Sequence, residues 1–440
     1  MTLRFHVWSI GCQMNTADAR RMSDELEACG GEACDRMEEA DVVVLYSCVV
    51  REAAENKVHN ELERIRKVKA GRPSMQIALA GCMVEDDVTD LARRYPFIDR
   101  YLSPKLDLPL RDQVFDFLDL DAPYRLDPED AERFSMVSQP VTVSQGCNRR
   151  CTYCVIPFRR GVERSRPSAE IRREIEGLVR RGTREVVLLG QIVDRYGRDI
   201  ETTLARLLAD ISEIDGLERI RFLTSYPVDF DRELMEAVAS LPKVCEDVNL
   251  PVQAGDDDVL RRMARGYKTE LYEGVVAEMR SVIPGLGLAT DIIVGFCGET
   301  ETEFANTLAL LERTRCDVVH VAMYSPRANT ASLKLWPDDV PLEEKRRRLH
   351  EIETLQAQVS VEINAGLVGS RQEILVEGIR RDKWYGRTRS NKLVFFDSAT
   401  SEPGQVLPLT ITSASSWSLQ GRLESTPTLK TLEPPWPQPD

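Results

Sequence analysis

Val141-Thr142-Val143-Ser144-Gln145-Gly146-Cys147-Asn148-Arg149-Arg150-Cys151-Thr152-Tyr153-Cys154 runs from a β-branched strand signal straight into three thiols spaced C-x3-C-x2-C. Thiolates are the soft donors that hold iron–sulfur clusters, and a 4Fe–4S cluster needs four ligands. Three cysteines from one loop leave one iron without a protein ligand, free to bind a small molecule. Zinc is the rival, but structural zinc takes four ligands, commonly in paired C-x2-C form. No second such pair lies at the usual distance. Burial as small hydrophobes sits badly with Arg149, Arg150 and Thr152 inside the array, and Tyr153 is placed to stack on a bound ligand.

Residues 141–144 are the first of six strand-like runs; the others are 185–189, 219–224, 247–252, 288–294 and 317–324. Helical stretches at 168–181, 202–214 and 299–313 separate them. Six βα units over 137–366 predict a parallel barrel, complete or partial, with its site at the C-terminal strand ends. The thiol loop falls at that end of the first strand.

Upstream, residues 1–130 alternate strands (5–10, 41–46, 76–80) with amphipathic helices (16–29, 52–68). That alternation predicts a doubly wound α/β domain with a mostly parallel sheet. A cysteine follows each strand: Cys12, Cys48 and Cys82. Ligands of open parallel sheets bind beyond the carboxyl ends of the strands, so three cysteines 36 and 34 residues apart in sequence can converge. Cys29 and Cys34 read as packing. Residues 106–133, rich in Asp, Pro and Leu, read as a linker.

Downstream, residues 367–430 carry short β-prone runs at 372–377, 393–396, 406–412 and 419–423, enough for a small antiparallel β-barrel. Between the first two, Arg380, Arg381, Lys383, Trp384, Arg387, Arg389 and Lys392 mix base with aromatic, a composition suited to phosphate contact and base stacking. Residues 426–440, with five prolines and no pattern, read as disordered.

The chain has 440 residues, 42% hydrophobic and 30% charged, with a net charge of −14. Such acidity argues against general nucleic-acid binding, but the charge is uneven. Residues 1–136 hold 27 acids against 18 bases, whereas 145–166 hold six arginines and one acid, Glu163. Arg149, Arg150, Arg159, Arg160, Arg164 and Arg166 therefore predict a basic lip beside the thiol loop. No run approaches eighteen apolar residues and the N-terminus lacks an apolar signal core, so a cytoplasmic protein is expected, with no membrane partner. Eleven cysteines there point to metal more than to disulfides.

The loop Gln145-Gly146-Cys147 through Val155-Ile156-Pro157 resembles the radical S-adenosylmethionine (SAM) enzymes, and within them the methylthiotransferases, over nearly the whole chain. Gly11-Cys12-Gln13-Met14-Asn15 is similar to the N-terminal signature of the MiaB-type tRNA branch. Ser47-Cys48 with Ala54-Glu55-Asn56-Lys57, and Gly81-Cys82-Met83, resemble its second and third cysteine blocks. Leu250-Pro251-Val252-Gln253, Thr290-Asp291-Ile292-Ile293-Val294-Gly295-Phe296 and Tyr324-Ser325-Pro326-Arg327 resemble its barrel blocks, and 386–392 the core of the TRAM RNA-binding domain. The chain departs from the pattern at Tyr46-Ser47, Ile192, Asn249 and Cys297.

The resemblance implies two 4Fe–4S clusters and SAM. Cys147, Cys151 and Cys154 would hold the cluster that cleaves SAM to a 5′-deoxyadenosyl radical. Cys12, Cys48 and Cys82 would hold the one that carries the sulfur. Tyr153, Gln191, Gln253 and Gly295 would contact SAM. The substrate implied is isopentenyl-adenosine beside the tRNA anticodon, methylthiolated at carbon 2, with electrons from a low-potential donor such as flavodoxin or ferredoxin. Threonylcarbamoyl-adenosine in tRNA, or an aspartate of a ribosomal protein, are the alternative substrates; Gln13-Met14 in place of Pro-Lys favours tRNA.

Overall fold

The computed structural model describes residues 2–50, 52–105 and 137–423. The linker read at 106–133 and the tail read at 426–440 lie outside them. The described residues form two compact units, divided between Val359 and Ser360.

The first unit begins with a parallel five-stranded sheet of order β2-β1-β3-β4-β5: β1 Arg4–Ser9, β2 Glu32–Ala33, β3 Val42–Ser47, β4 Gln76–Gly81 and β5 Arg100–Leu102. The central strand β3, VVVLYS, is buried along its whole length, because a parallel strand has helices on both faces. Its residues alternate accordingly. Val42, Val44 and Tyr46 pack with Met22 and Leu26 of helix α1 (Gln13–Ala28), while Val43 and Leu45 pack with Val58, Leu62 and Ile65 of helix α2 (Glu52–Gly71). Each such burial of a Val or Leu contributes about 1.5–3 kcal/mol. The two edge strands are two and three residues long, too short to leave a period in the sequence.

The same unit continues into β6 Ser138–Thr142, a short antiparallel pair of β7 Ser144–Gln145 with β8 Arg164–Ser165, then β9 Glu185–Leu189, β10 Arg219–Leu223, β11 Asp247–Asn249, β12 Gly287–Val294 and β13 Val318–Met323. β6, β9 and β10 pair in parallel, as do β11, β12 and β13. A bridge between Ile220 and Val244 joins the two sheets. The result is a partial (βα)6 barrel with β6 and β13 at its open edges. Crossover helices such as Ser168–Arg180, Leu204–Ser212 and Glu301–Thr314 cover its outer face. Thr300 and Glu303 start the last of these with a reciprocal capping box. On the inner face, Met14 and Ala17 of α1 pack against Leu189, Val187 and Leu223, which seats α1 at the barrel mouth.

The second unit contains a closed barrel of order β14-β15-β16-β18-β17: β14 Arg371–Arg380, β15 Lys383–Thr388, β16 Leu393–Phe396, β17 Val406–Ala414 and β18 Leu419–Leu423. It has five strands, one more than the sequence runs foretold. The extra one, β15, is part of the basic segment itself, where Lys383, Gly386 and Arg387 mask the alternation.

Candidate functional site

The sheet order places the topological switch between β1 and β3, where doubly wound sheets form their ligand crevice. Cys12 and Cys48 flank that switch and Cys82 follows the next strand, β4. The turns bearing them leave no room for side chains. Gly11 has φ +116°, and a Cβ there would lie 2.3 Å from Cys48 Cβ; Gly81 has φ +88°, and its Cβ would lie 2.5 Å from Ser47 O. Only glycine tolerates both constraints. The buried Asn15 ties the turns together, Nδ2 donating to Ile10 O at 2.9 Å and Ser47 O at 3.0 Å. Ser47 Oγ donates to Ala80 O at 2.5 Å and accepts from Met83 N at 3.2 Å.

The thiols feel one another. A hydrogen bond from Cys48, acting against burial, pulls the Cys12 thiol down to about 6. The same interaction with Cys12, together with burial, pushes Cys48 up. Burial raises Cys82, partly offset by the Arg160 guanidinium. Ionising one thiol thus penalises the next, as expected where a positively charged centre completes the site.

Backbone bonds pin the second triplet. Cys147 N donates to Gly161 O at 3.1 Å, Cys154 N to Cys151 O at 3.1 Å, and Thr152 N to Met263 O at 3.0 Å. Arg149 N points at Cys147 Sγ (3.4 Å) and Arg265 Nη1 at Cys151 Sγ (3.7 Å). Burial pushes Cys147 up, and pushes Cys154 to about 12 with help from the two neighbouring thiols. Among the described residues no three His, Cys, Asp or Glu side chains close round a single metal ion. Each donor set is three thiolates, the soft ligands that iron–sulfur clusters take.

The two triplets share a wall. Val155, next to Cys154, packs in one cluster with Val49, Cys82 and Met83. Beside it opens a cavity of about 890 Å³ lined by Val50, Asn56, Tyr153, Cys154, Gln253 and Arg327, among others. Tyr153 stands edge-on to Phe296, ring centroids 6.4 Å apart. Gln253, at φ +79°, bridges the end of β12, its N donating to Asp291 O and its O accepting from Ile293 N, both at 2.9 Å. Lys345 covers Gly295: a Cβ there would meet Lys345 Cγ at 2.3 Å. Gln191 instead faces the N-terminal half, its Nε2 on Met14 Sδ. Asn249, a departure from the resembling pattern, donates to the Asp291 carboxylate at 3.0 Å.

The basic lip is smaller than its six arginines suggested. Arg149 pairs with Asp229, Arg159 with Glu85 at 2.5 Å, Arg160 with Asp18 at 3.1 Å and Arg166 with Glu174 at 2.8 Å. Arg150 and Arg164 are exposed. Sequence counting registered the arginines but not the acids that fold back onto them.

In the C-terminal barrel the basic segment divides similarly. Arg380, Arg381 and Lys383 are exposed at the β14–β15 turn, Lys392 is buried, and Arg387 pairs with Glu377 at 3.2 Å. Trp384, read as a stacking residue, packs on the barrel core and donates through Nε1 to Ser398 O at 3.1 Å. Among the described residues of this unit the exposed aromatic is Trp417, 72% accessible. Sequence reading passed over it because no charged residue flanks it closely.

Residues 141–311 match the radical SAM superfamily, residues 4–103 an uncharacterized protein family, UPF0004, and residues 366–423 the TRAM domain. The tRNA-2-methylthio-N(6)-dimethylallyladenosine synthase of Dehalococcoides mccartyi is 44% identical over 421 residues, covering 95% of this chain and 98% of that one. Its counterpart from Herpetosiphon aurantiacus is 40% identical over 427 residues, covering 96% and 97%. Among solved structures, the radical S-adenosylmethionine methyltransferase TsrM from Kitasatospora setae aligns with a TM-score of 0.54 at 14% identity, over 73% of this chain and 75% of that one. At that identity the likeness speaks for the fold alone.

Proposed function

The chain belongs to the tRNA-2-methylthio-N(6)-dimethylallyladenosine synthase family of radical SAM enzymes, and from that premise we propose that it methylthiolates carbon 2 of isopentenyl-adenosine beside the tRNA anticodon. The observation that carries the reading is that the two thiol loops meet: Val155, next to Cys154, shares a packed core with Val49 and Cys82, and Cys154 lines one cavity together with Val50, two residues past Cys48. A single triplet would account for radical generation but not for a sulfur.

In this reading Cys147, Cys151 and Cys154 hold the 4Fe–4S cluster that binds SAM, and Cys12, Cys48 and Cys82 hold a second. When bound, these groups supply the radical and the transferable sulfur; the protein supplies position and a dry site. Tyr153 and Gln253, which line the cavity, would contact SAM together with the Gly295 turn, and Gln191, at the junction of α1 and the barrel, would approach it from that side. Arg265, pointing at Cys151 Sγ from between Tyr226 and Tyr267, holds that sulfur in place.

The target base must leave its stack to enter the cavity, which costs least in a single-stranded anticodon loop. The C-terminal barrel, a TRAM domain by its match, contributes backbone contacts through Arg380, Arg381 and Lys383. In this reading the domains run over 1–130, 137–366 and 367–430. A tRNA substrate places the enzyme in the cytoplasm, drawing electrons from flavodoxin or ferredoxin, and no helix of the described residues is long and apolar enough to cross a membrane.

Mass spectrometry of tRNA nucleosides from cells lacking the gene tests the proposal. Loss of the 2-methylthio group with retained isopentenyl-adenosine is the expected result. Unchanged methylthio-adenosines would overturn it.

A further inference from the structure

Each cysteine triplet has one buried arginine aimed at one of its sulfurs, and both arginines come from the barrel half. Their remaining contacts differ. Arg265 uses its other donors on neutral groups, Pro251 O at 2.7 Å and Tyr267 Oη at 3.1 Å, and lies over the rings of Tyr226 and Tyr267. Arg160 donates through Nε to Cys82 Sγ at 3.4 Å, through Nη1 to the Asp18 carboxylate at 3.1 Å and through Nη2 to Asn15 Oδ1 at 3.0 Å. It is 2% exposed. All three partners belong to the N-terminal half, while Arg160 itself ends the short helix Ile156–Arg160 that directly follows Cys154.

A buried guanidinium is costly unless each donor is used, and a stability role alone would be met by Asp18 and Asn15. The third bond goes to a thiol that the family resemblance makes a cluster ligand. Charge-assisted N–H···S bonds in a low-dielectric setting stabilise added negative charge on the sulfur, and hydrogen bonds to the sulfurs are among the factors that set cluster potentials. Asp18 opposes that effect by partly neutralising the same guanidinium.

We propose that Arg160 is a positioning residue for the sulfur-carrying triplet. It fixes the Cys82 thiolate relative to the loop of the other triplet, and with Asp18 it sets the reduction potential of the cluster held by Cys12, Cys48 and Cys82. The proposal rests on the two-cluster reading above. It assigns opposite influences to two adjacent charges: the arginine makes one-electron reduction of that cluster easier, and the aspartate makes it harder.

The test is a redox titration of the anaerobically reconstituted full-length protein, read by electron paramagnetic resonance with iron and sulfide counted in parallel. A Cys147→Ala, Cys151→Ala, Cys154→Ala background identifies the signal of the N-terminal cluster. Arg160→Met is expected to shift that signal to a more negative potential, Arg160→Lys to shift it less, and Asp18→Asn to shift it the other way. The cluster at Cys147, Cys151 and Cys154 should keep its potential in all three. Equal N-terminal potentials in the wild type and the variants, with both clusters loaded, would overturn the proposal while leaving the two-cluster reading intact. A wild-type protein holding a single cluster would overturn both. If Arg160→Met fails to load the N-terminal triplet, Arg160→Lys and Asp18→Asn decide: opposite shifts uphold the proposal and unshifted signals overturn it.

Discussion

Arg327 Nη1 stands 2.7 Å from Glu55 Oε2, an ion pair joining the loop after β13 to helix α2 across 272 residues of sequence. The side chains are 12% and 32% exposed, and Arg327 Nε and Nη2 are buried without another hydrogen-bond partner among the described residues. Glu55 is thus the carboxylate that makes this buried cation tolerable beside the cavity. Glu55→Gln should destabilise the first unit by about 1–3 kcal/mol, the cost of leaving a buried charge poorly paired. A denaturant midpoint equal to wild type would contradict that assignment.

Glu174 is held by two arginines from different halves, Arg20 of α1 and Arg166 after the thiol loop. Burial pushes its carboxyl up, but the two cations outweigh it and hold the group at about 2, against an ordinary value of 4.5. A depressed carboxyl stabilises the fold above its unfolded-state value, and that contribution disappears as pH falls through the folded value. Roughly 3 kcal/mol should therefore be lost between about pH 5 and pH 2. Glu174→Gln should flatten that part of the stability–pH curve; an unchanged slope would show that the pair is idle.

Iron counting separates the triplets. The reconstituted wild type should bind about eight irons, and Cys12→Ala and Cys147→Ala about four each, since a 4Fe–4S cluster needs its thiolates. Cys12→Ala should still cleave SAM without thiolating tRNA, whereas Cys147→Ala should do neither. Thiolation by Cys12→Ala at the wild-type rate would sink the sulfur-carrying role.

On the C-terminal barrel, Trp417→Ala should weaken tRNA binding about tenfold, within the ~1–3 kcal/mol of one stacked base, and Trp384→Ala should instead lower stability. Arg381→Ala should reduce the salt slope of binding by about one. Filter-binding titrations at several salt concentrations distinguish these outcomes; a Trp417→Ala variant that binds normally would remove the stacking role.

Much of this site could be read before any coordinates. The six thiols were legible because soft ligands at fixed spacing, or at the ends of strand patterns, are local signals. The doubly wound domain was legible because β3 is a nearly unbroken apolar run from Val42 to Tyr46 and helical periods flank it. What stayed hidden depended on partners distant in sequence. Arg159 and Arg160 read as surface charge because Glu85 and Asp18 are more than seventy residues away. Trp384 read as a free ring because its acceptor, Ser398 O, lies beyond the next strand. β15 was missed because a glycine and two bases broke its alternation, although burial of Gly386 and Thr388 makes it a strand.

The turns at Gly11 and Gly81 bear on how iron would be taken up. With no side chain between the strand ends, the spacing of Cys12, Cys48 and Cys82 is dictated by backbone already locked into a buried sheet. Such a receptacle exists before it is filled. Unlike a zinc finger, whose metal binding is its folding, the iron-free protein should remain folded and ready for loading. Cluster assembly and repair would then be a matter of supply rather than of refolding.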